Sequence, residues 1–497
     1  MSSREIKIYN TLSRQKETFE PLTPPFVGMY VCGPTVYGDA HLGHSRAAIT
    51  FDIVFRYLTH LGYKVRYVRN ITDVGHLEAD YDDAEDKSAK TAKLDKLEPM
   101  VVAQNYTDSY HKDMDALNTL RPSIEPRATG HIPEQIQLVN DNLEEGLAYD
   151  VNGSVYFDVL KHNENHEYGK LSGRVVEELM SGNRELEGQS EKRNPIDFAL
   201  WKKAPAEHLM KWESPWGLGF PGWHLECTAM SSKYLGSQFD IHGGGMDLLF
   251  PHHECEIAQG NASNHVDPAK YWMHNNMITI NGQKMGKSLG NFITLQQLFT
   301  GEHELLEQAY SPMTIRYFIL TAHYRSTLDF SNSALKAAQK GYKKLINGLR
   351  IAKKMKFIPQ QGVAVDPEQV KQVEQQIENS FRSLSDDFNT AQAIGHMFNL
   401  LKKINSVYTG QLSSAIFGQD VFEQMLETYR VLTEDVLGLI EEIPDNSHML
   451  INAFLGLYAE AKEVRDYAKV DSIRASLKEI GIIVKDMKDK IDWAYEE

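Results

Sequence analysis

The sequence predicts an α/β fold built on a parallel sheet, and three observations carry that reading. First, the strand-like run MYVCGPTVY is followed by the turn GDAHLGH, the helical run SRAAITFDIVFRYLTHLGY and a second strand-like run, KVRYVRNIT. That order within a few tens of residues is a βαβ unit, whose crossover leaves its two strands parallel. Second, the alternation resumes far downstream, with GWHLECTAMSSKYL as a helix start, SQFDIHGGG as a strand and MDLLFPHHECEIAQGNA as another helix. Third, the chain changes character past about Ser333, where helical patterns dominate.

Each element has a local reason. β-branched and aromatic residues mark MYVCGPTVY as a buried strand. In the following helix Ala47, Phe51, Val54, Leu58 and Leu61 recur at helical spacing, which predicts a core-facing stripe ended near Gly62. Open parallel sheets bind ligands where strands end and loops begin, so Cys32 and Thr72 are placed close to that crevice on neighbouring strands. EADYDDAEDKSAK reads as an exposed acidic loop. From about Pro133 to Lys211 the pattern is irregular, with NGSVYFDV and PIDFALWKK as ordered islands, and is read as an insertion into the sheet domain. In AQAIGHMFNLLKKIN, residues Ile394, Met397, Phe398, Leu401 and Ile404 lie along one side of a helix. The last segment gives a helix and then short strand-like pieces, a small mixed module. The predicted boundaries are 1–132 and 212–332 for the two halves of the sheet domain, 133–211 for the insertion, 333–440 for the helical part and 441–497 for the terminal module.

Composition bounds what such a chain can be. At 497 residues it exceeds what one core organises, and 42% apolar with 24% charged residues is ordinary globular composition. MSSREIKIYN lacks the apolar core of a signal peptide, and no run reaches the ~18 apolar residues of a membrane span, so a cytoplasmic protein without a membrane partner is expected. The three cysteines, Cys32, Cys227 and Cys255, are an odd number and point to a reducing compartment with thiols free for metal. A net charge of -16 argues against a generally basic, nucleic-acid-coating surface. One local exception exists: SNSALKAAQKGYKKLINGLRIAKKMK carries Lys336, Lys340, Lys343, Lys344, Arg350, Lys353, Lys354 and Lys356 with no acid, and is either a solvated helix face or an RNA-facing one.

Two constellations carry chemistry. In FPHHECEIAQ, His252 and Glu256 are four apart and share a helical face, whereas His253 and Cys255 are expected to point elsewhere. Cys32 and Cys227 are expected at the same sheet edge, and a Cys, Cys, His, Glu set suits zinc. The spacing fits no short zinc-finger pattern, and a lone His/Glu pair is more often a surface ion pair. Cys255 reads as a small apolar core residue. The other constellation pairs HLGH, His41 to His44, with KMGKS, Lys284 to Ser288. The first stands at a helix start, where backbone N–H groups and the dipole favour an anion. The second offers two lysines on a glycine-containing loop, suited to a triphosphate whose leaving group gains charge.

Together HLGH and KMGKS resemble the two signature motifs of class I aminoacyl-tRNA synthetases. YVCGPTVYGDAHLGHSR, NITD, SPWGLGFPGWHLECTAM, FDIHGGGMDLLFPHHECEIAQ, KMGKSLGN, RYFILTAHYRSTLDFS and DDFNTAQA resemble the cysteinyl-tRNA synthetase family in particular, from Tyr9 to Trp493. The resemblance implies a Rossmann-like catalytic domain with a connective insertion, a helical tRNA-binding bundle and an anticodon-reading terminal module. It also implies one zinc ion per chain, held by Cys32, Cys227, His252 and Glu256, with the substrate thiolate joining the metal. Zinc then separates cysteine from serine where size does not, and a proofreading domain becomes unnecessary.

By the same resemblance Gly33, Thr72, Trp223 and His224 border the amino acid. His41, His44, Gly243, Gly244, Gly245, Asp247 and Lys287 bind ATP, with Mg2+. His41, His44, Lys284 and Lys287 form the catalytic set, and Arg465, Tyr467 and Arg474 contact tRNA. Expected partners are tRNA(Cys), ATP and L-cysteine, and the expected state is a monomer. Four departures from the family pattern stand out: Gly286 for the serine of KMSKS, Phe220 for a frequent arginine, NITDVGHLE with its acidic continuation for NITDIDDK, and Cys255 for asparagine. Tyr467 stands where tryptophan is frequent. Two rivals are a ligase that passes cysteine to a sugar-like amine and an RNA-binding protein without catalysis. The long extension past Ser333 speaks against the former, and the retained signature histidines and lysines against the latter.

Overall fold

The computed structural model describes residues 4–74, 98–182, 191–206, 208–286, 289–442, 447–486 and 491–495. The acidic loop expected around Asp80 to Asp86 and two residues of KMGKS, Lys287 and Ser288, lie outside them. The chain divides into two compact units, residues 1–440 and 441–497.

In the first unit a hairpin of β1 (Lys7–Asn10) and β2 (Gln15–Thr18) leads into β3 (Phe26–Val31), then α1 (Leu42–His60) and β4 (Lys64–Arg69). β3 pairs in parallel with β4, with Met29 opposite Tyr67. Helix α2 (Pro99–Ala116) follows, and after it the inserted layer: α3 (Ile132–Glu144) and the antiparallel strands β5 (Ala148–Val151), β6 (Ser154–Phe157), β7 (Phe198–Lys203) and β8 (Gly219–Pro221). The chain then returns through α4 (Leu225–Leu235) to β9 (Phe239–Gly245), which lies parallel to β3 on its other side, and through α5 (Glu254–Asn264) to β10 (Ala269–Asn275). The resulting order, β10-β9-β3-β4, brings the carboxyl ends of all four strands to one edge. This is the predicted parallel sheet.

Three expectations needed correction. The stretch read as irregular holds a helix and a four-stranded antiparallel sheet, whose last strand lies beyond Lys211. Its strands are three to six residues long, too short for a periodic signal, although the Asn152-Gly153 turn, both residues at positive φ, is a hairpin signature present in the sequence. Helix α1 is not a one-sided amphipath. Ser45, Arg46, Ile49, Asp52, Ile53 and Tyr57 are buried too, because segments 312–320 and 431–436 cover the face turned away from the sheet; Ala47 and Leu61 are only half-buried. The helix expected to start at Pro251 is regular only from Glu254: Phe250 is extended (φ -141°, ψ 133°) and residues 249–253 form a wide, irregular turn.

Past the sheet, β11 (Ile278–Ile280), β12 (Gln283–Lys284), α6 (Leu295–Thr300), α7 (Pro312–Leu320) and β13 (Leu328–Phe330) precede a bundle of α8 (Asn332–Lys354), α9 (Pro367–Ser385), α10 (Thr390–Tyr408) and α11 (Gln419–Arg430). Each of the first three bundle helices starts on a side-chain cap, Ser331, Asp366 and Asn389. Ile394, Met397, Leu401 and Ile404 are buried as predicted, with Phe398 half-buried. The second unit holds α12 (Ser447–Glu463), α13 (Tyr467–Glu479) and the hairpin β14 (Ile482–Asp486) and β15 (Ile491–Tyr495) around a small core of Ile451, Leu455, Tyr458 and Leu477.

Candidate active site and metal centre

A cleft of about 500 Å³ opens along the carboxyl edge of the sheet. Cys32, Gly33, Thr72, Trp223, Cys227 and His252 line one end, and His41, His44, Gly245, Asp247 and Lys284 line the other.

The first end is built by three strand or helix ends. Cys32 follows the last residue of β3, Cys227 sits in the first turn of α4, and the turn before α5 delivers His252 while α5 itself delivers Glu256. Cys32 Sγ lies 3.3 Å from Cys227 Sγ and 3.6 Å from Glu256 Oε1, and His252 Nε2 lies 3.3 Å from that same oxygen. With zinc–ligand bonds of about 2.0–2.3 Å, the edges of a ligand tetrahedron measure roughly 3.3–3.8 Å, so the four donors fit the ion. A second donor set, Cys32, His242, His253 and Glu256, is also compact. His242 and His253 are fully buried and absent from the cleft wall, whereas Cys32, Cys227 and His252 reach it. Of these two sets among the described residues, the first has three members on the cleft wall and the second has one.

The remaining histidines hold that set in place. His242 Nε2 is 2.8 Å from Glu256 Oε2, and His224 Nδ1 is 3.0 Å from His252 Nδ1, leaving His252 Nε2 toward the carboxylate. His224, expected beside the substrate, is thus buried behind His252 and off the cleft wall. His253 was expected to point away; its Nε2 is 3.3 Å from Cys32 Sγ, because the irregular turn at 249–253 does not impose the angular step of an α-helix. Its Nδ1 continues to His274 and Thr11 Oγ1, each link 2.8 Å. Burial pushes both thiols up, Cys32 furthest, where hydrogen bonding to Cys227 adds to it. Metal must therefore displace protons to bind, and binding weakens as pH falls. Cys255 faces the insertion core, fully buried, with its sulfur 3.5 Å from Tyr168 Oη, as a spectator should.

At the other end His41 caps α1. Its Nδ1 accepts from Gly43 N at 3.0 Å, and His44 Nδ1 accepts from His41 N at 3.3 Å. A neutral imidazole that accepts at Nδ1 carries its hydrogen at Nε2, so the capping box fixes both rings as Nε2 donors. The rings stack at 3.9 Å, and burial holds His44 down to about 3, so it is neutral at pH 7. Lys284 is exposed at the end of β12. Gly286 N donates to Asn291 Oδ1 at 2.8 Å while Asn291 Nδ2 donates to Lys284 O at 3.0 Å, a staple that shapes the described part of the KMGKS loop.

Glycines act in two ways here. A Cβ at Gly33 would fall 1.6 Å from the Asn70 carbonyl oxygen, so no side chain fits between the ends of β3 and β4. Gly243 and Gly244, expected at ATP, are absent from the cleft wall; a Cβ on them would strike Phe51 and His253. They are small for packing, while Gly245 and Asp247 reach the cleft. Trp223 covers His252 with ring centroids 4.5 Å apart. Phe220, where the family often has arginine, stacks on His208 at 4.2 Å. In the second unit Tyr467 is 63% exposed, while Arg474 is engaged by Asp486 and Tyr458.

Buried neutral histidines set an acid limit. Burial lowers His44 and His274 to about 3 and His162 to about 4, against about 6.5 when unfolded. Below pH 6.5 the unfolded chain binds the extra protons, so stability falls as pH drops through this window. Asp113, raised to about 6 by burial, acts in the opposite sense between roughly 4 and 6, as does Asp197, also raised by burial; His253, lowered by burial, adds to the other three histidines. Urea midpoints at pH 7.5, 5.5 and 4.5 should descend; a flat or rising series contradicts the assignment.

This arrangement, a parallel sheet with paired imidazoles and a lysine loop at its carboxyl edge, is that of a class I aminoacyl-tRNA synthetase, and residues 18–340 match the tRNA synthetases class I (C) catalytic domain while 381–441 match the DALR domain. Solved neighbours share the fold: a Mycobacterium tuberculosis methionyl-tRNA synthetase in complex with methionyl-adenylate at TM-score 0.58 and 14% identity, covering 90% of this chain and 96% of that one, and an Agrobacterium radiobacter LeuRS-tRNA-LeuAMS complex at 0.56 and 12%, covering 85% and 86%. The cysteine–tRNA ligase of Cytophaga hutchinsonii is 61% identical over 501 residues, all of both chains; that of Bacteroides fragilis is 56% identical, covering 98% of this chain and 99% of its own; that of Deinococcus radiodurans is 48% identical, covering 98% and 96%. The chain belongs to the cysteine–tRNA ligase family. No helix among the described residues is long and apolar enough to cross a membrane.

Proposed function

We propose that the chain activates L-cysteine with ATP and passes the cysteinyl group to the 3′-terminal adenosine of tRNA(Cys), as a cytoplasmic monomer. The observation that carries this is the Cys32, Cys227, His252, Glu256 cluster, three of whose members line a cavity that the signature histidines also line. The cysteine carboxylate attacks the α-phosphorus of ATP, forming cysteinyl-adenylate as pyrophosphate leaves with the electrons of the broken P–O bond. His41 and His44 donate to phosphate oxygens, and Lys284 with Lys287 balances the charge on departing pyrophosphate, alongside Mg2+. Gly33, Thr72 and Trp223 position the amino acid, with His224 acting through His252. A zinc ion held by Cys32, Cys227, His252 and Glu256 would supply a site that favours thiolate sulfur over the hydroxyl of serine. The terminal ribose hydroxyl, by family resemblance the 2′-OH, then takes the acyl group and AMP departs. Positioning and charge supply the catalysis, and no protein nucleophile is required.

Residues 1–132 and 212–332 serve as the catalytic halves, 133–211 as the connective insertion, 333–440 as the tRNA-binding bundle and 441–497 as the anticodon-reading module, with Arg465, Tyr467 and Arg474 as contacts. Helix α8 supports the bundle's role. Leu335, Ala338, Tyr342, Leu345 and Leu349 are buried, and Lys340, Lys343, Lys344, Arg350 and Lys354 are all exposed, at spacings that keep Lys340, Lys343, Arg350 and Lys354 along one face. The test is cysteine-dependent ATP/pyrophosphate exchange followed by charging of tRNA with a GCA anticodon. Exchange and charging are both expected; no exchange rejects the reading, and exchange without charging points to a small-acceptor ligase. Replacing Lys340, Lys343 and Lys344 by glutamine should raise KM for tRNA roughly tenfold with exchange unchanged and flatten its salt dependence.

A further inference from the structure

Thr72 stands at the cleft beside Cys32 and Cys227, yet its hydroxyl hydrogen is turned away from any ligand there: Oγ1 donates to Glu226 Oε2 at 2.7 Å. Glu226 is fully buried in the first turn of α4, next to Cys227, and is not part of the cleft wall. Asn70 completes the arrangement. Its Nδ2 donates to Thr72 Oγ1 at 3.1 Å, its Oδ1 accepts from Gly33 N at 2.8 Å, and that oxygen lies 3.7 Å from Cys227 Sγ. One carboxamide thus spans from the sulfur cluster to Thr72. Sequence reading quoted the motifs containing Asn70 and Glu226 without assigning either a role.

The polarity of this chain follows from donor counts. A hydroxyl has one hydrogen and two lone pairs, and a carboxylate can only accept. The Thr72 hydrogen is committed to Glu226 and one lone pair is taken by Asn70, so what remains at Thr72 Oγ1 can only accept. In an amino acid whose sulfur sits at the cluster, the α-ammonium is a few bonds from that sulfur and carries three donors.

We infer that Glu226 is a positioning residue that fixes Thr72 as an obligate acceptor for the substrate ammonium, so that the site selects an α-amino thiol over a thiol without the amine. This rests on the proposed binding of cysteine in the cleft. Without Glu226 the hydroxyl is free to turn its hydrogen toward the ligand and repel the ammonium. Glu226 reaches the amine of the ligand through Thr72.

The experiment is calorimetric titration of the full chain, supplied with one equivalent of zinc, with L-cysteine and with 3-mercaptopropionate, which is cysteine lacking its amine. Wild type should bind cysteine roughly tenfold or more tightly than the amine-free thiol, the scale of a hydrogen bond from a charged group. Glu226→Met should weaken cysteine roughly tenfold while leaving 3-mercaptopropionate nearly unchanged, and Thr72→Val should do the same. The double variant should be no worse than the poorer single one, because both remove one interaction. Glu226→Gln retains an acceptor oxygen and should fall between, which also serves if Glu226→Met does not fold. Equal losses for both ligands would make Glu226 merely structural and overturn the inference, as would unchanged cysteine affinity in Glu226→Met. If wild type binds neither thiol, the functional reading fails and this inference with it.

Discussion

Cys227→Ser is expected to reduce zinc from about one per chain to a small fraction of that, and to reduce kcat/KM for cysteine activation by at least ~10²-fold. The reason is local. Cys227 supplies one corner of the donor set, 3.3 Å from Cys32 Sγ, and lies in the first turn of a helix whose position is set by packing against the sheet. A serine hydroxyl there is a harder and far more basic donor, a poor replacement for thiolate. Loss of an outer-shell partner alone costs roughly 10–100-fold in metal affinity or activity, and loss of a ligand costs more. Cys227 is 2% exposed among apolar neighbours, and the swap exchanges one buried atom, sulfur for oxygen, so melting in the presence of chelator should shift far less than the zinc content does. Metal analysis beside pyrophosphate exchange checks it; retained zinc would remove Cys227 from the site.

Asp52→Asn is expected to destabilise the first unit by about 3–5 kcal/mol, the cost of leaving a buried charge without its partner. Asp52 sits on α1, the helix that His41 caps, and its carboxylate accepts from Arg316, from Arg56 Nε at 2.8 Å and from Leu120 N at 2.8 Å. Arg316 is fully buried and spends its other donors on the carbonyls of Leu437, Leu117 and Asn118. One guanidinium therefore ties the signature helix to two loops, one at Leu117 and Asn118 and one at Leu437, and asparagine would turn an amide against it. A loss of that size is a large part of an ordinary stability of about 5–15 kcal/mol. Denaturant and thermal midpoints should both fall sharply, while Asp52→Leu with Arg316→Met should recover part of the loss. A midpoint unchanged in Asp52→Asn contradicts this account of the ion pair.

What the sequence disclosed followed the strength of its local signals. The βαβ unit was legible because long runs such as SRAAITFDIVFRYLTHLGY carry unambiguous periodicity, whereas Cys32, Cys227, His252 and Glu256 were singled out as a set by the resemblance, because their spacing alone fits no short zinc pattern. The insertion sheet was not, since β8 spans only Gly219–Pro221 and such strands leave no pattern. His253 was misplaced because helical spacing was applied across an irregular turn. The reason for Gly243 and Gly244 was hidden because it lies in Phe51 and His253, distant in sequence or on another element. Asn70 and Glu226 were passed over because a polar residue inside a motif gives no sign of its partner until both are placed.

The central claim is that substrate sulfur completes a metal site built from four side chains of this chain. Zinc-edge X-ray absorption of the full-length protein, before and after addition of L-cysteine, reads this directly. The account predicts that scattering by sulfur at about 2.3 Å rises from two atoms, those of Cys32 and Cys227, to three, and that serine produces no change. A sulfur count that stays the same with cysteine bound would contradict it.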